Sequence, residues 1–286
     1  MRKIQIIFLM LIITGLSSCS DVNSKQRSIP EKISISIPTE ERGNNQEYTF
    51  NYSECIDGVI QITKMAGDFK KYGFADSNRN IITEPIYDDS KFYIGATSAS
   101  SSFNEGLAPV KSSDKWGYID LEGNVRIDFT FDDAWCFSEG LAPVCLNKKY
   151  GYINREGNVI IDYTYTFSYD FHKGVAVVEA DGKYGFINRN GDWLIKPEYE
   201  YVDFGRFDYE WTNNNVVRIQ KDGLWGAIKI LDGKVEIIAE PKYNKLYPYK
   251  EHKARFIISY NDTDRVIIGY IDEYGVEIQK WDGTGE

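Results

Sequence analysis

Short apolar runs separated by polar turns fill most of the chain, and they recur in a fixed order. Between Tyr150 and Tyr184 that order is Tyr150-Gly151-Tyr152-Ile153, the polar turn Asn154-Arg155-Glu156-Gly157, the run Val159-Ile160-Ile161, an aromatic loop, and Gly174-Val175-Ala176-Val177-Val178. The same order restarts at Tyr184-Gly185-Phe186-Ile187, 34 residues after Tyr150. A block that restarts at a fixed spacing is a structural repeat. Its apolar runs are rich in aromatic and β-branched residues, which suit a pleated surface, so each run predicts a strand.

An aromatic–glycine or glycine–aromatic step marks each unit. Its glycines are Gly73, Gly117, Gly151, Gly185, Gly226 and Gly269, which lie 44, 34, 34, 41 and 43 residues apart. The core unit is therefore 34 residues, and the longer gaps are loop insertions. Three strands are predicted per unit. The first follows the glycine. A turn with Asp or Asn at its first position and Gly at its fourth comes next, as in Asp120-Leu121-Glu122-Gly123, the composition of a type I turn ending in a left-handed residue. The second strand ends in Pro85-Ile86-Tyr87, Pro197-Glu198-Tyr199 or Pro241-Lys242-Tyr243, where proline closes the strand or sits on a sheet edge. The third is Leu107-Ala108-Pro109-Val110, Leu141-Ala142-Pro143-Val144 or Val175-Ala176-Val177-Val178.

Lys115-Trp116-Gly117-Tyr118-Ile119-Asp120, Glu122-Gly123-Asn124 and Phe137-Ser138-Glu139-Gly140-Leu141-Ala142-Pro143-Val144 together resemble the bacterial WG-repeat family. The resemblance spans about residues 55–280 and is strongest in the three central units. Arg79 stands where the first unit's turn glycine is expected, and the last unit has no aromatic before Gly269. Degenerate outer units suit capping, because a terminal repeat has one neighbour only. The predicted fold is all-β, a tandem array of about six three-stranded, hairpin-containing repeats over residues 48–286. An open curved or superhelical array is expected ahead of a propeller-like closed ring. The resemblance implies no reaction and no catalytic residues.

The N-terminus has another character. Arg2 and Lys3 precede an apolar run, Ile4 to Leu16, that is shorter than the roughly 20 residues needed to span a bilayer, and it reads as a secretory signal. The run ends in Leu16-Ser17-Ser18-Cys19, which looks like a bacterial lipobox. That resemblance implies a signal peptide over 1–18, cleavage before Cys19 and a lipid on its sulfur. Residues 19–47 are polar, with Pro30, Pro38 and Gly43, and read as a tether. The expected location is the cell envelope, lipid-anchored through Cys19, with the outer membrane or cell surface favoured.

Composition narrows the chemistry. A net charge of −10 argues against nucleic acid as a partner. Cys55, Cys136 and Cys145 remain beside Cys19, an odd number without zinc-site spacing, and read as buried free thiols. His172 and His252 have no partner by spacing, and no glycine-rich phosphate loop is present. Glu105 and Glu139 recur at equivalent positions, as do Asp120, Asn154, Asn188 and Asp272, which marks turn residues rather than a catalytic pair. No cofactor, metal or enzyme activity is expected.

Trp116, Tyr150, Tyr184 and Trp225 occupy the repeated register and read as core. Aromatics outside it, Tyr93, Trp135, Tyr165, Tyr169, Tyr209 and Trp211, fall mainly in variable loops, where binding residues concentrate on a rigid scaffold. Tyr169, Tyr209 and Trp211 are the expected anchors of one interaction edge. The chain is thus expected to be a binding or scaffold module for an envelope protein or glycan, with an envelope polysaccharide hydrolase as the alternative.

Overall fold

A computed structural model describes residues 48–56, 58–91, 93–94, 100–101, 103–203, 215–260 and 265–284, which contain strands, turns and loops and no helix. They belong to one compact unit, Gln46–Glu286. The signal and tether segments with Cys19 lie outside the described residues, as do Tyr209 and Trp211.

The described residues form six four-stranded sheets and one two-stranded hairpin. All pairings are antiparallel. The third sheet shows the pattern: Asp133–Ala134, Leu141–Leu146, Lys149–Asn154 and Val159–Tyr165 lie side by side in chain order. The all-β tandem array is as the sequence predicts, with one strand more per sheet. The added strand has only two residues in the second, third, fourth and sixth sheets, too short to show an alternation. It forms because the backbone after the preceding aromatic turns back onto the next apolar run, as in the pairing of Ala134 with Val144. Extensive contacts between these sheets run from each one to its neighbour in the chain. Among the described residues no sheet closes into a barrel and no extensive contact joins the first sheet to the sixth, consistent with an open array. In the insertion after the first sheet, the hairpin of Tyr93–Ile94 and Ser100–Ser101 lies against strand Thr49–Ile56.

The repeated glycine owes its place to a bulge in the fourth strand. Tyr150 pairs with Tyr165 and Tyr152 with Ile161, so two steps on one strand face four on the other. The extra residues arch over Gly151, and a Cβ there would lie 2.5 Å from the Ile161 carbonyl oxygen. Gly73, Gly117, Gly185 and Gly226 meet the same obstacle at 2.5–2.7 Å. The proline of the Pro-x-Tyr step lies inside this fourth, edge strand rather than closing it: Pro197 is within Trp193–Tyr199 and Pro241 within Lys234–Tyr243. An edge strand has no outer partner, so proline's missing N–H costs no ladder bond there.

The hairpin turns match their composition. Gly123, Gly157, Gly191 and Gly275 have φ of +82 to +84°, and Arg79 takes the same left-handed conformation at +69°. Asp120 Oδ1 accepts from the amides of Glu122 and Asn124, at 3.1 and 2.8 Å, and Asn154 and Asn188 do likewise in their turns. The bond from Asp or Asn replaces solvent for amides that the ladder leaves free.

The core lies between sheets. Trp116, Tyr118 and Phe131 of the second sheet pack with Phe137, Ala142, Val144 and Ile153 of the third unit. The aromatic after the glycine meets a phenylalanine of the next unit: Phe74–Phe103, Tyr118–Phe137 and Tyr152–Phe171 have ring centroids 4.9–5.0 Å apart. Such pairs add about 0.5–1.5 kcal/mol beyond the area they bury. Tyr165, predicted to be a loop aromatic, instead ends the fourth strand and is buried with Phe171 and Val178 of the next unit. It sits in register with Tyr87, Phe131, Tyr199 and Tyr243, which the bulge hides from a simple count along the sequence.

These two kinds of glycine predict different costs. Gly151→Ala drives a Cβ into backbone and is expected to cost about 3 kcal/mol or more in urea unfolding. Gly182→Ala, at φ +73° with nothing within 4 Å, is expected to cost roughly 1 kcal/mol, the penalty of a left-handed residue alone. Equal losses at both positions would contradict the bulge.

Candidate functional site

Two edges of the array carry polar side chains in register, and they differ in how those side chains are used. On the first, a two-residue turn precedes each second strand. Glu105-Gly106 and Glu139-Gly140 have positive φ at both residues, which makes a tight hairpin turn. The Glu105 carboxylate accepts from the Gly140 amide of the next unit at 2.9 and 3.1 Å, and Glu139 accepts from the Gly174 amide at 2.8 Å. Asn104 Nδ2 donates to the Phe137 carbonyl at 2.6 Å, and Ser138 Oγ to the Phe171 carbonyl at 2.7 Å. These bonds staple one unit to the next, so the recurring glutamates are structural. The third turn carries Lys173 instead, and its carbonyl accepts from Gly233 at 2.7 Å. His172 Nε2 lies 3.0 Å from Asn215 Oδ1, which draws it into the same lattice. A shallow cavity of about 510 Å³ opens on this edge, between Glu139, Arg189 and Asp232.

The second edge follows the short first strands. Lys91, Trp135, Tyr169, Asp203 and Tyr247 hold equivalent places, each after or at the end of a first strand. Here the backbone is repeated and the side chains are not. The backbone is fixed by each second strand: Trp135 N donates to the Pro143 carbonyl, and Tyr169 N to the Val177 carbonyl, both at 3.0 Å. Its carbonyls accept from the preceding unit, since Tyr118 OH reaches Trp135 O and Tyr152 OH reaches Tyr169 O, each at 2.7 Å.

The side chains then interlock along this edge. Lys91 pairs with Asp133, and its ammonium lies 4.0 Å from the Trp135 ring centroid and 5.0 Å from that of Trp116. Asp133 also accepts from Trp135 Nε1 at 3.1 Å and from Tyr150 OH at 2.6 Å. Phe167 continues the row, 5.1 Å from Tyr150 and 5.0 Å from Tyr169 between ring centroids. In the fifth unit Arg218 binds Asp203 and the Leu246 carbonyl and lies over Trp225, itself 5.8 Å from the exposed Tyr201.

A carboxyl group sits just behind this row. Burial pushes Asp170 up to about 6, with the Glu139 carboxylate adding to the shift. The neighbouring Cys136 is buried and in no disulfide, its thiol pushed up by burial and by the Asp170 charge. Cys145 is likewise buried and in no disulfide. Among the described residues no group of three His, Cys, Asp or Glu side chains has the arrangement of a metal site. His252 pairs with Glu273 at 3.1 Å, far along the chain from His172.

Of the three expected anchors, Tyr169 lies on the second edge, half-buried, with its ring edge-on to Phe167. Tyr209 and Trp211 fall outside the described residues. Trp116 is buried, whereas Tyr150, Tyr184 and Trp225 are half-buried at the border of core and edge. Lys91, Asp133 and Arg218 were not singled out by the sequence. Arg218 had a signal, a charge inside the apolar run Val216-Val217-Arg218-Ile219. Lys91 had none, because its partner Asp133 is 42 residues away.

The architecture is that of an all-β tandem-repeat protein, the kind of scaffold that serves in binding. The family model for the WG containing repeat matches residues 72–116, 116–150, 150–184 and 184–225, and the chain belongs to that family. Its matches abut at the aromatic before each glycine, the residue that faces the bulge. No curated protein matches the chain. Among solved structures it is similar to a eukaryotic initiation factor, at 8% identity and TM-score 0.40 over 78% of this chain and 63% of that one. It is also similar to Hsv2p of Kluyveromyces lactis, at 11% identity and TM-score 0.39 over 79% and 73% of the two chains. A quinonprotein alcohol dehydrogenase-like protein from Bacteroides thetaiotaomicron aligns at 12% identity and TM-score 0.35 over 85% and 68%. The chain thus spans less than two thirds of the initiation factor's length.

Removing one staple tests the turn edge. Glu105→Ala leaves the Gly140 amide without its acceptor and is expected to cost about 1–2 kcal/mol in urea unfolding, with Glu105→Gln recovering part of it. The Asp170 shift has a definite sign. A carboxyl raised above its unfolded value of 3.8 contributes stability fully below that pH, and the contribution is lost as pH rises through about 6. Asp170→Asn is therefore expected to stabilise the protein by on the order of 1–2 kcal/mol at pH 7.5 and to have almost no effect at pH 3.5, measured as melting temperature against pH.

Proposed function

We propose that the chain is a lipid-anchored binding or scaffold module of the cell envelope, without catalytic activity, which presents the edge after the short first strands to an envelope protein or glycan. One observation carries this reading. At that edge the backbone is the same from unit to unit, while the side chains run Lys91, Trp135, Tyr169, Asp203 and Tyr247. Elsewhere the recurring residues are taken up by stapling and packing, which a repeat array requires of its regular positions. A row of unlike aromatic and charged groups on a fixed backbone suits recognition of one particular partner. The Leu-Ser-Ser-Cys ending of the N-terminal apolar run supports the anchor, with acyl chains on Cys19 supplying about 0.8 kcal/mol per buried CH₂.

The reading is tested in two steps. Cys19→Ala is expected to leave an uncleaved precursor that no longer partitions into the detergent phase, and unchanged partitioning would rule out the lipid. A photo-crosslinking residue at Tyr169 or Tyr247, in cells expressing the full chain, is expected to give a discrete adduct with an envelope protein or glycan. The same group at Val159 or Trp193, on the bulged fourth strands, is expected to give none. Equal labelling from both sets of positions would contradict a dedicated edge.

A further inference from the structure

Among the described residues, no further sheet covers the outer face of the sixth sheet, where Trp281 is exposed. The side chains on that face are not those of the inner sheets. In the inner sheets the aromatic that ends the fourth strand packs into the next unit: Tyr87, Phe131, Tyr165, Tyr199 and Tyr243 are each 5% exposed or less. In the sixth sheet Trp281 holds that register, paired with Ile268, and it is 55% exposed. Tyr270 follows Gly269 as Tyr118 and Tyr152 follow their glycines, and it lies 6.2 Å from Trp281 between ring centroids.

The second strand departs further. Pro109, Pro143 and Val177 pair with the aromatic after the glycine in three inner sheets, and Arg255 takes their place opposite Tyr270. Arg218 holds that register in the fifth sheet, where its guanidinium donates to the Leu246 carbonyl of the next unit. Tyr118 and Tyr152 likewise donate to next-unit carbonyls. The register of Arg255 and Tyr270 is therefore one that, in this same chain, receives the backbone of an adjoining segment.

Around the two residues lies an open pocket of about 310 Å³ that also includes Tyr247, Lys250 and Lys253. Arg255 lies over the Tyr247 ring and Lys253 over the Tyr270 ring. Among the described residues none of Lys250, Lys253 and Arg255 is ion-paired, in a chain with a net charge of −10. Glu251 is the one acid of the lining. This concentrates positive charge without an ion-pair partner on the sixth sheet of an acidic chain.

We propose that this terminal face is a docking site for an extended, acidic peptide segment of a partner protein. Arg255 and Tyr270 would donate to its carbonyls, Lys250 and Lys253 would pair with its carboxylates, and Trp281 would pack on an apolar side chain between them. The site adjoins the edge under Proposed function and shares Tyr247 with it, but Arg255, Tyr270 and Trp281 lie outside that edge, so their variants test this site alone.

The test pans a displayed library of random peptides against the full chain and measures the selected peptides by fluorescence anisotropy. Selected sequences are expected to carry Asp or Glu at alternate positions around an apolar residue. Their affinity is expected to fall about tenfold or more in Arg255→Glu and in Trp281→Ala, and to weaken as salt is raised. Arg255 is exposed, so Arg255→Glu is expected to retain the wild-type melting temperature and separates lost binding from lost folding. Selected peptides without acidic residues, or affinities unchanged in both variants, would overturn the proposal. So would retention of the chain on heparin without selection of acidic peptides, which assigns an anionic glycan to the site. Self-association abolished by the same two variants would also overturn it, since the occupant would then be a second copy.

Discussion

The array rests on one close approach, the fourth strand's bulge against a glycine on the third. The carbonyl oxygen of Ile161 stands where a Cβ of residue 151 would be, and the same arrangement recurs at Gly73, Gly117, Gly185 and Gly226. Because the bulge takes up extra residues, the strand's last aromatic stays paired with Tyr150 in its own sheet while its side chain packs against the next one. The contact that joins the units thus follows from the contact that shapes each unit. A side chain at the glycine would push the bulge away and draw the aromatic out of the neighbouring core.

Junctions between units are layered by type of interaction. Aromatic pairs such as Tyr118–Phe137 lie in the interior and supply apolar burial. Glutamate-to-amide staples such as Glu105 to Gly140 close the turn edge. On the edge after the short first strands tyrosine hydroxyls hold the backbone of the following unit, and the side chains along that backbone are left to vary. Stability built from nearest-neighbour junctions permits variation at positions outside them. Lys91 between Trp116 and Trp135 is one local outcome, and the Arg218–Asp203 pair over Trp225 is another.

The sixth sheet shows the same rules where, among the described residues, no further sheet stacks on it. Trp281 remains in the aromatic register yet is largely exposed, and Arg255 replaces the proline or valine of three inner sheets. Charge on such a face keeps a terminal repeat from stacking indiscriminately on another, and it also sets what can stack there.

Much of the architecture was determined by the sequence alone. The 34-residue spacing, the glycine-ended turns and the three long strands of each unit are local features, set by backbone sterics and by alternation along a few residues. The structural role of Glu105 and Glu139 was legible as well, because a side chain that recurs at the same place in successive units answers to packing. The tertiary structure alone decided the two-residue strands, which are too short to carry a pattern, and the burial of Tyr165, whose register the bulge shifts. It also decided which charges meet. Lys91 and Asp133 are 42 residues apart and Arg218 and Leu246 are 28 apart, brought together only when successive sheets stack. Local chemistry fixes the repeat, whereas stacking decides which loop side chains share an edge, because their proximity depends on the bulge and the inter-sheet core together.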